Sequence, residues 1–195
     1  MDQEKVWDAV ADKWAEYRTR TVGEVEEFLD GKCGSVLDLG CGSGRNLIKS
    51  DDLEFYGVDF SQNLLDLAEK EGYVELKKST TDNIPYSDEM FDHIIFVRVL
   101  HCVDTEEKRK KTLEEIYRVL KKGGEAVVSV IGPENPRVKN KGKESFIPWT
   151  TEGIKHVRYN YNYDQDELEG QLKDAGFEVV SIESGRNIIA FVKKS

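Results

Sequence analysis

The chain has 195 residues, 38% of them hydrophobic, which is enough to bury one good core and slightly more than the commonest domain size, so a single domain over 1–195 is expected. A formal net charge of −10 argues at first against phosphate-rich partners, no apolar run reaches membrane-spanning length, and the opening MDQEKVWDAV lacks the basic-then-apolar order of a secretory signal, so a soluble, cytoplasmic protein with no membrane partner is expected. The three cysteines, Cys33, Cys41 and Cys102, form no CxxC pair and are odd in number, so neither a disulfide framework nor a metal site is indicated. The charge is uneven, however. Residues 98–143 hold 12 basic and 7 acidic side chains, against 10 and 22 in residues 1–97, so a local basic face is compatible with the acidic total.

In chain order, Val6, Val10, Trp14 and Tyr17 recur at helical spacing and predict an amphipathic helix, and Val25, Phe28 and Leu29 suggest a second. Together they form a helical cap over 1–34. A short strand from Ser35 to Leu39 leads into a glycine turn, after which Leu47 and Ile48 begin a helix. "EFYGVDF" is a strand ending at Asp59, and "SQNLLDLAEKEG" a helix with Ser61 as N-cap and Gly72 at its end. "YVELKK" is a third strand. "FDHIIFVRVL" is a fourth, apolar enough to be buried on both faces. Asp104 and Glu107 make a capping box for a helix whose apolar face, Leu113, Ile116, Tyr117 and Leu120, runs to a stop at Gly123 and Gly124. "EAVVSVI" is the fifth strand. Regularity lapses from Gly132 to about Thr151, within an irregular insertion over 132–163 on the substrate side. The tyrosines Tyr159, Tyr161 and Tyr163 alternate with polar residues, as in an edge strand with one buried face, so packing is expected for Tyr161 and Tyr163. A helix from Gln165 to Ala175 and the strands "FEVVSIE" and "NIIAFVKK" follow.

Strands alternating with helices imply right-handed crossovers and a parallel sheet covered on both faces. The last two strands are joined by "SGR" alone, too short for a crossover, so they form an antiparallel edge hairpin. The expected fold is therefore α/β, a mostly parallel Rossmann-like sheet with helices on both faces.

The stretch "VLDLGCGSGRN" places Gly40, Gly42 and Gly44 behind the first strand, where open α/β sheets bind ligands. Glycine weakens regular elements, so three at alternate positions point to a sharp bend or a close approach, although tight packing alone would also account for them. Gly44 follows Gly42 by two positions rather than the three of a dinucleotide fingerprint, which leaves adenosyl cofactors without a pyrophosphate in contention. Asp59 ends the second strand 19 positions after Gly40, where a carboxylate can accept from both ribose hydroxyls.

These segments, with "VDFS", "NIPYSDEMFDHIIFVRVLH" and "IYRVLKKGGEAVVSV", resemble the successive motifs of the class I S-adenosylmethionine-dependent methyltransferases over roughly residues 35–130. The resemblance implies a seven-stranded sheet with S-adenosylmethionine as cofactor. It sets Asp38 and the Gly40, Cys41, Gly42 and Gly44 turn against the methionine part, Asp59 on the ribose and Phe60 near the adenine, with Val97, Tyr17 and Arg18 also in the cofactor site. Where that family often has an acidic contact to the adenine amine, this chain has Thr80, with Thr81 and Asp82 adjacent.

Further segments, "VWDAVADKWAEYRTR", "FIPW", "RYNYNYDQDELEGQLKDAGFEV" and "GRNIIAFVKK", are similar to the tRNA wobble-uridine carboxymethyl methyltransferases. That likeness implies esterification of 5-carboxymethyluridine in the anticodon loop of tRNA, and a small zinc-ribbon activator protein as heterodimer partner. A carboxylate acceptor is already ionised near neutral pH and needs orientation rather than a base. Arg98, His101, Arg158, Tyr159, Arg186 and Asn187 are the candidates to hold it, arginine being suited to a carboxylate's two oxygens. The family pattern often has a second histidine after the first, and here it is Cys102. Arg137, Lys139, Lys141 and Lys143 lie in a polar loop suited to phosphate contacts. A methyltransferase acting on a small metabolite fits the acidic composition and is the alternative; a non-enzymatic binding module would need a damaged cofactor site, which the intact Asp38, glycine turn and Asp59 oppose.

Overall fold

The structure, a computed structural model, describes residues 2–151 and 153–195. Helices α1 (Gln3–Tyr17) and α2 (Gly23–Leu29) precede strands β1 (Gly34–Leu39) and β2 (Leu53–Asp59), helix α3 (Gln62–Ala68), and strands β3 (Glu75–Lys78) and β4 (Phe91–Val97). A 3-10 turn (Leu100–Cys102), helix α4 (Glu106–Val119) and strand β5 (Leu120–Ile131) follow, then β6 (Glu144–Thr151), β7 (Ile154–Tyr161), α5 (Gln165–Asp174), β8 (Glu178–Ser184) and β9 (Asn187–Lys193). The main sheet has seven strands in the order β3-β2-β1-β4-β5-β9-β8. Strands β1 to β5 pair in parallel, and β9 runs antiparallel to both β5 and β8. The edge hairpin expected from the three-residue "SGR" link is thus present.

Alternate strand residues feed two cores. Leu37, Leu39, Phe91, Ile94 and Phe96 pack with Leu113, Ile116 and Val119 of α4 and Leu168 and Leu172 of α5, while Val36, Ile95, Val97 and Val127 pack on the other face with Val25, Phe28 and Leu29 of α2. Each such side chain contributes roughly 1.5–3 kcal/mol by leaving water, which is why strands apolar at every position lie inside a doubly covered sheet. The strand order reverses between β1 and β4, so their carboxyl ends leave a crevice at the site of the glycine turn.

Four elements differ from the sequence reading. No helix begins at Leu47: residues 45–52 run back as turns and coil, with Leu47 and Ile48 against the second core. Eight helical residues would rise only about 12 Å, short of the about 20 Å needed to return along a strand of this length. The N-cap of α4 is Thr105, whose side chain accepts from the Lys108 amide, and Asp104 instead pairs with Lys108 Nζ at 2.9 Å. Leu120 is not the end of α4 but the start of β5, paired with Phe91. Finally, the insertion is not irregular throughout, because β6 and β7 form a separate antiparallel hairpin in which Ile147 faces Arg158 and Trp149 faces His156. Proline at 148 and the polar Thr150 and Thr151 had obscured the alternation of Ser145, Ile147 and Trp149 on its inner side. Tyr161 and Tyr163 pack on the first core with ring centroids 4.9 Å apart, as expected.

Candidate active site

The crevice deepens into a cavity of about 750 Å³, closed from above by α1 and the β6–β7 hairpin. Helix α1 is tied down at both edges. Ser61, which caps α3 through Leu64, also donates its hydroxyl to Asp8 at 2.5 Å, and Gln3 accepts from the Tyr159 amide at 2.9 Å.

Three glycines shape the floor for three different reasons. All have positive φ, 72° at Gly40, 56° at Gly42 and 85° at Gly44, a conformation that side chains oppose. A Cβ at Gly40 would lie 2.5 Å from Val99, and one at Gly44 would lie 2.9 Å from Glu71, so these two are required by packing. A Cβ at Gly42 would meet nothing within 4 Å, because Gly42 faces the cavity.

Asp59 is buried beside that turn, its Oδ2 accepting from the Gly42 amide and its Oδ1 from the Ser61 amide, each at 2.9 Å. Burial pushes its carboxyl up to about 6 despite these bonds. Asp38 lies behind the turn rather than in the cavity wall, receives the Tyr73 hydroxyl at 2.7 Å, and is pushed up to about 7, again chiefly by burial. Thr80, Thr81 and Asp82 border the cavity beyond Phe60. The Thr81 hydroxyl is engaged with Thr112 at 2.8 Å, whereas Asp82 makes no hydrogen bond or ion pair among the described residues.

The cavity also carries cationic groups. Arg18, Arg45, Arg98, Arg137 and Arg158 all border the cavity, and the electrostatic neighbours that depress Arg45 are Arg98 and Arg18, after burial as the first cause. Arg98 is fixed by left-handed backbone (φ 62°) and a 3.2 Å pair to the buried Glu24. Arg158 is buried and, among the described residues, has no carboxylate partner and no partner for its Nε; its guanidinium carbon lies 5.2, 4.8 and 5.4 Å from the rings of Trp7, Trp14 and Trp149. Arg18 and Arg98 also have buried, unpaired Nε atoms. Buried donors of this kind normally have partners, so their orientation marks a place for anions.

His101 is buried beneath this group. Its Nδ1 accepts from the Ile131 amide at 3.4 Å, which leaves the proton on Nε2, and burial, then Arg158 and Arg98, push it down to about 3. It is a neutral donor at physiological pH, not a base. The Cys102 thiol is pushed up to about 12 by burial and holds no thiolate. Tyr159 borders the cavity but gives its hydroxyl to Glu144 at 2.8 Å, while Arg186 and Asn187 reach the rim from the β8–β9 turn.

Of the residues singled out from sequence, the fold thus gathers Arg18, Gly40, Cys41, Gly42, Asp59, Phe60, Thr80, Thr81, Asp82, Val97, Arg98, His101, Arg158, Tyr159, Arg186 and Asn187 around one cavity. Tyr17, Asp38 and Gly44 stand outside it. Tyr17 is 72% exposed with its ring against Trp149, so its side chain points away from the cofactor end. Sequence reasoning missed Trp7, Trp14, Arg45 and Asn46. Trp14 was absorbed into the helical stripe Val6, Val10, Trp14 and Tyr17 and Trp7 was passed over, although a Trp repeated at i and i+7 on a surface helix is itself a signal of something large to cover.

A glycine that opens onto the cavity, a buried carboxylate beside it, and unpaired guanidinium groups fit a ligand with a ribose at one end and a carboxylate at the other. A family model described as "Methyltransferase domain" matches residues 37–128. Fold, turn and matched domain are those of an S-adenosylmethionine-dependent methyltransferase. Among curated relatives it is 34% identical over 155 residues to the tRNA (carboxymethyluridine(34)-5-O)-methyltransferase of Arabidopsis thaliana, an alignment covering 78% of this chain and 37% of that protein. The chain spans well under half the length of the first curated relatives it matches. Among solved structures, the PH0226 protein of Pyrococcus horikoshii shares the fold with a TM-score of 0.78 at 21% identity, over 100% of this chain and 99% of that one. A chain from the complex of the Haloferax volcanii Trm112 methyltransferase activator with its partner has a TM-score of 0.71 at 19% identity, over 99% of this chain and 98% of that one.

Proposed function

We propose that this chain methylates a carboxylate, and that the acceptor is 5-carboxymethyluridine at the wobble position of tRNA. The observation that carries the proposal is Arg158, a buried guanidinium held by three tryptophans with no carboxylate partner among the described residues. Such a group is costly unless an anion completes it. The name of the Arabidopsis relative supports the choice of anion.

Gly40, Cys41 and Gly42 form the main-chain cradle of the cofactor, Asp59 accepts from its ribose hydroxyls, Asp82 from its adenine amine, and Arg18 with Arg45 takes its carboxylate. Asp38 acts from behind, holding the turn through Tyr73. When bound, S-adenosylmethionine supplies an electrophilic methyl group. The protein's part is positioning: Arg158 holds the acceptor carboxylate by its planar fork, and the Nε2 proton of His101 donates to it. No proton has to be removed, because a carboxylate is ionised at neutral pH. That agrees with a histidine kept neutral and turned into a donor, and with a thiol that stays protonated.

The test is transfer of labelled methyl to tRNA carrying 5-carboxymethyluridine, followed by nucleoside analysis with and without mild base. A base-labile methyl on the wobble nucleoside is expected. A base-stable product, or transfer confined to a small carboxylic acid, overturns the tRNA assignment; the acidic net charge of −10 favours the small acid as second reading. We further propose a small zinc-ribbon activator as partner, on the wobble-uridine resemblance and the Haloferax volcanii complex. Co-purification from the native host with mass spectrometry should recover it, and recovery of the chain alone at full activity removes it.

A further inference from the structure

The rings of Trp7, Trp14, Trp149 and Tyr17 form a row, each edge to face with the next, at centroid distances of 5.0, 5.5 and 5.9 Å. The inner end lies in the active site, where Trp7 and Trp14 border the cavity and Arg158 sits over the first three rings. The outer end is Tyr17, 72% exposed and without a hydrogen bond among the described residues. Folding does little to bury this ring, so core packing does not explain it.

Cations lie on one side of it. Arg18 follows Tyr17 directly and lies 4.6 Å from the Trp14 ring, and Arg137 is an electrostatic neighbour of both Arg18 and Arg158. Beyond Arg137, Lys139 and Lys141 are exposed and make no ion pair among the described residues. Lys143 differs, being neutralised by Asp164 at 2.7 Å and Glu167 at 2.6 Å. The loop itself is anchored, with Val138 buried and Lys139 and Lys141 bonded back to Asn135 and Val138 through their amides. A chain with a net charge of −10 therefore holds Arg18 next to an exposed aromatic ring, Arg137 coupled to it at the cavity, and two uncompensated lysines in the segment that follows Arg137. Single-stranded RNA matches both features, since its phosphates follow cations and every base offers a face to stack.

We propose that Tyr17 stacks on the unpaired nucleotide adjoining the acceptor, while Arg137, Lys139 and Lys141 follow the phosphates on that side. The proposal rests on the RNA reading of the acceptor and adds the residue that grips the neighbouring base. Tyr17 is a binding residue here and touches no reacting atom. A protein partner covering the same ring is the competing outcome.

The experiment measures binding of fluorescein-labelled oligouridylate, and of an anticodon stem-loop RNA carrying 5-carboxymethyluridine, to the parent protein, Tyr17→Ala and Tyr17→Phe. Alanine should weaken both about 10-fold, within the range for loss of one stacked base. Phenylalanine should stay within about twofold of the parent, because the ring rather than the hydroxyl makes the contact. Cofactor affinity by calorimetry and the melting temperature should be the same in all three proteins. Equal RNA binding by Tyr17→Ala and the parent, no RNA binding by the parent, a loss with phenylalanine as large as with alanine, or a fall in cofactor affinity each overturns the proposal. RNA that binds through Tyr17 but is not esterified sinks the carboxymethyluridine reading and leaves the stacking role in place. Esterification of the free nucleoside with no RNA binding does the reverse.

Discussion

The two walls of the cavity are assembled on different principles. At the strand-end wall, Gly40, Cys41, Gly42, Asp59 and Phe60 sit at the ends of two adjacent parallel strands and in the turns that leave them, and most contacts are made by main chain: Gly42 and Ser61 amides on Asp59, and positive φ at Gly40 and Gly42. Elsewhere around the cavity, Trp7, Arg137, Arg158 and Arg186 come from α1, a loop, the β6–β7 hairpin and the β8–β9 turn, and they act through long side chains. The first wall is rigid because strands fix it. The second is held by cross-links between elements, such as Asp8 to Ser61 and Gln3 to Tyr159.

The largest effect should separate the glycines of the first wall. Gly42→Val is expected to abolish cofactor binding in a folded protein, since its side chain enters open cavity and the positive φ costs only about 1–2 kcal/mol. Gly40→Val should instead lose structure, its Cβ being driven to 2.5 Å from Val99. Circular dichroism and thermal shift with added cofactor distinguish these outcomes, and a Gly42→Val protein that unfolds would return that glycine to a packing role.

Next in size, Arg158→Ala should lower turnover about 10- to 150-fold with cofactor affinity intact, the range for losing a hydrogen bond to a charged group. Asp59→Ala should lower cofactor affinity by a similar factor, about 1.5–3 kcal/mol, and titration calorimetry on both variants reads the contrast directly. Loss of cofactor affinity in Arg158→Ala would merge the two walls into one site. Arg158→Lys should fail to restore turnover, since an ammonium cannot reproduce the planar fork.

A pH measurement probes the first wall alone. Asp38 and Asp59 are pushed up to about 7 and about 6, above the usual carboxylate value, so between about pH 4 and 7 the folded state keeps protons the unfolded chain has released. Their contribution to stability therefore falls as pH rises through that window. Asp38→Asn has no such proton to lose, so its melting temperature relative to the parent should climb between about pH 5 and 8 without cofactor. His101 slopes the other way but is common to both proteins. Parallel curves would mean that Asp38 titrates normally.

The smallest effect belongs to the outer wall. Replacing Lys139 and Lys141 by glutamine should flatten the salt dependence of tRNA binding by about two phosphate contacts, and Lys143→Gln should change it little, because Lys143 is committed to Asp164 and Glu167. A slope for the Lys139/Lys141 double variant equal to that of the parent would remove the loop from the RNA path.

Much of the first wall could be read from spacing, because strand, turn and strand-end aspartate are set by neighbours within about twenty residues. The β8–β9 hairpin was legible for the same reason, its three-residue link leaving no other geometry. The helix expected at Leu47 failed where chain length, not propensity, governed: residues 45–52 must span the sheet, and coil reaches farther than helix. Of the three glycines, composition showed only that backbone freedom was needed; which one opens onto the cavity depends on Val99 and Glu71, residues remote in sequence. Arg158 and Tyr17 mark the limit most clearly. Alternation along 158–163 and the helical stripe of α1 gave the secondary structure of each, but the tryptophans that hold Arg158 come from Trp7, Trp14 and Trp149, and Tyr17 faces outward because Trp149 backs it. Periodicity records which face of an element is apolar, whereas what that face meets is a property of the packed chain.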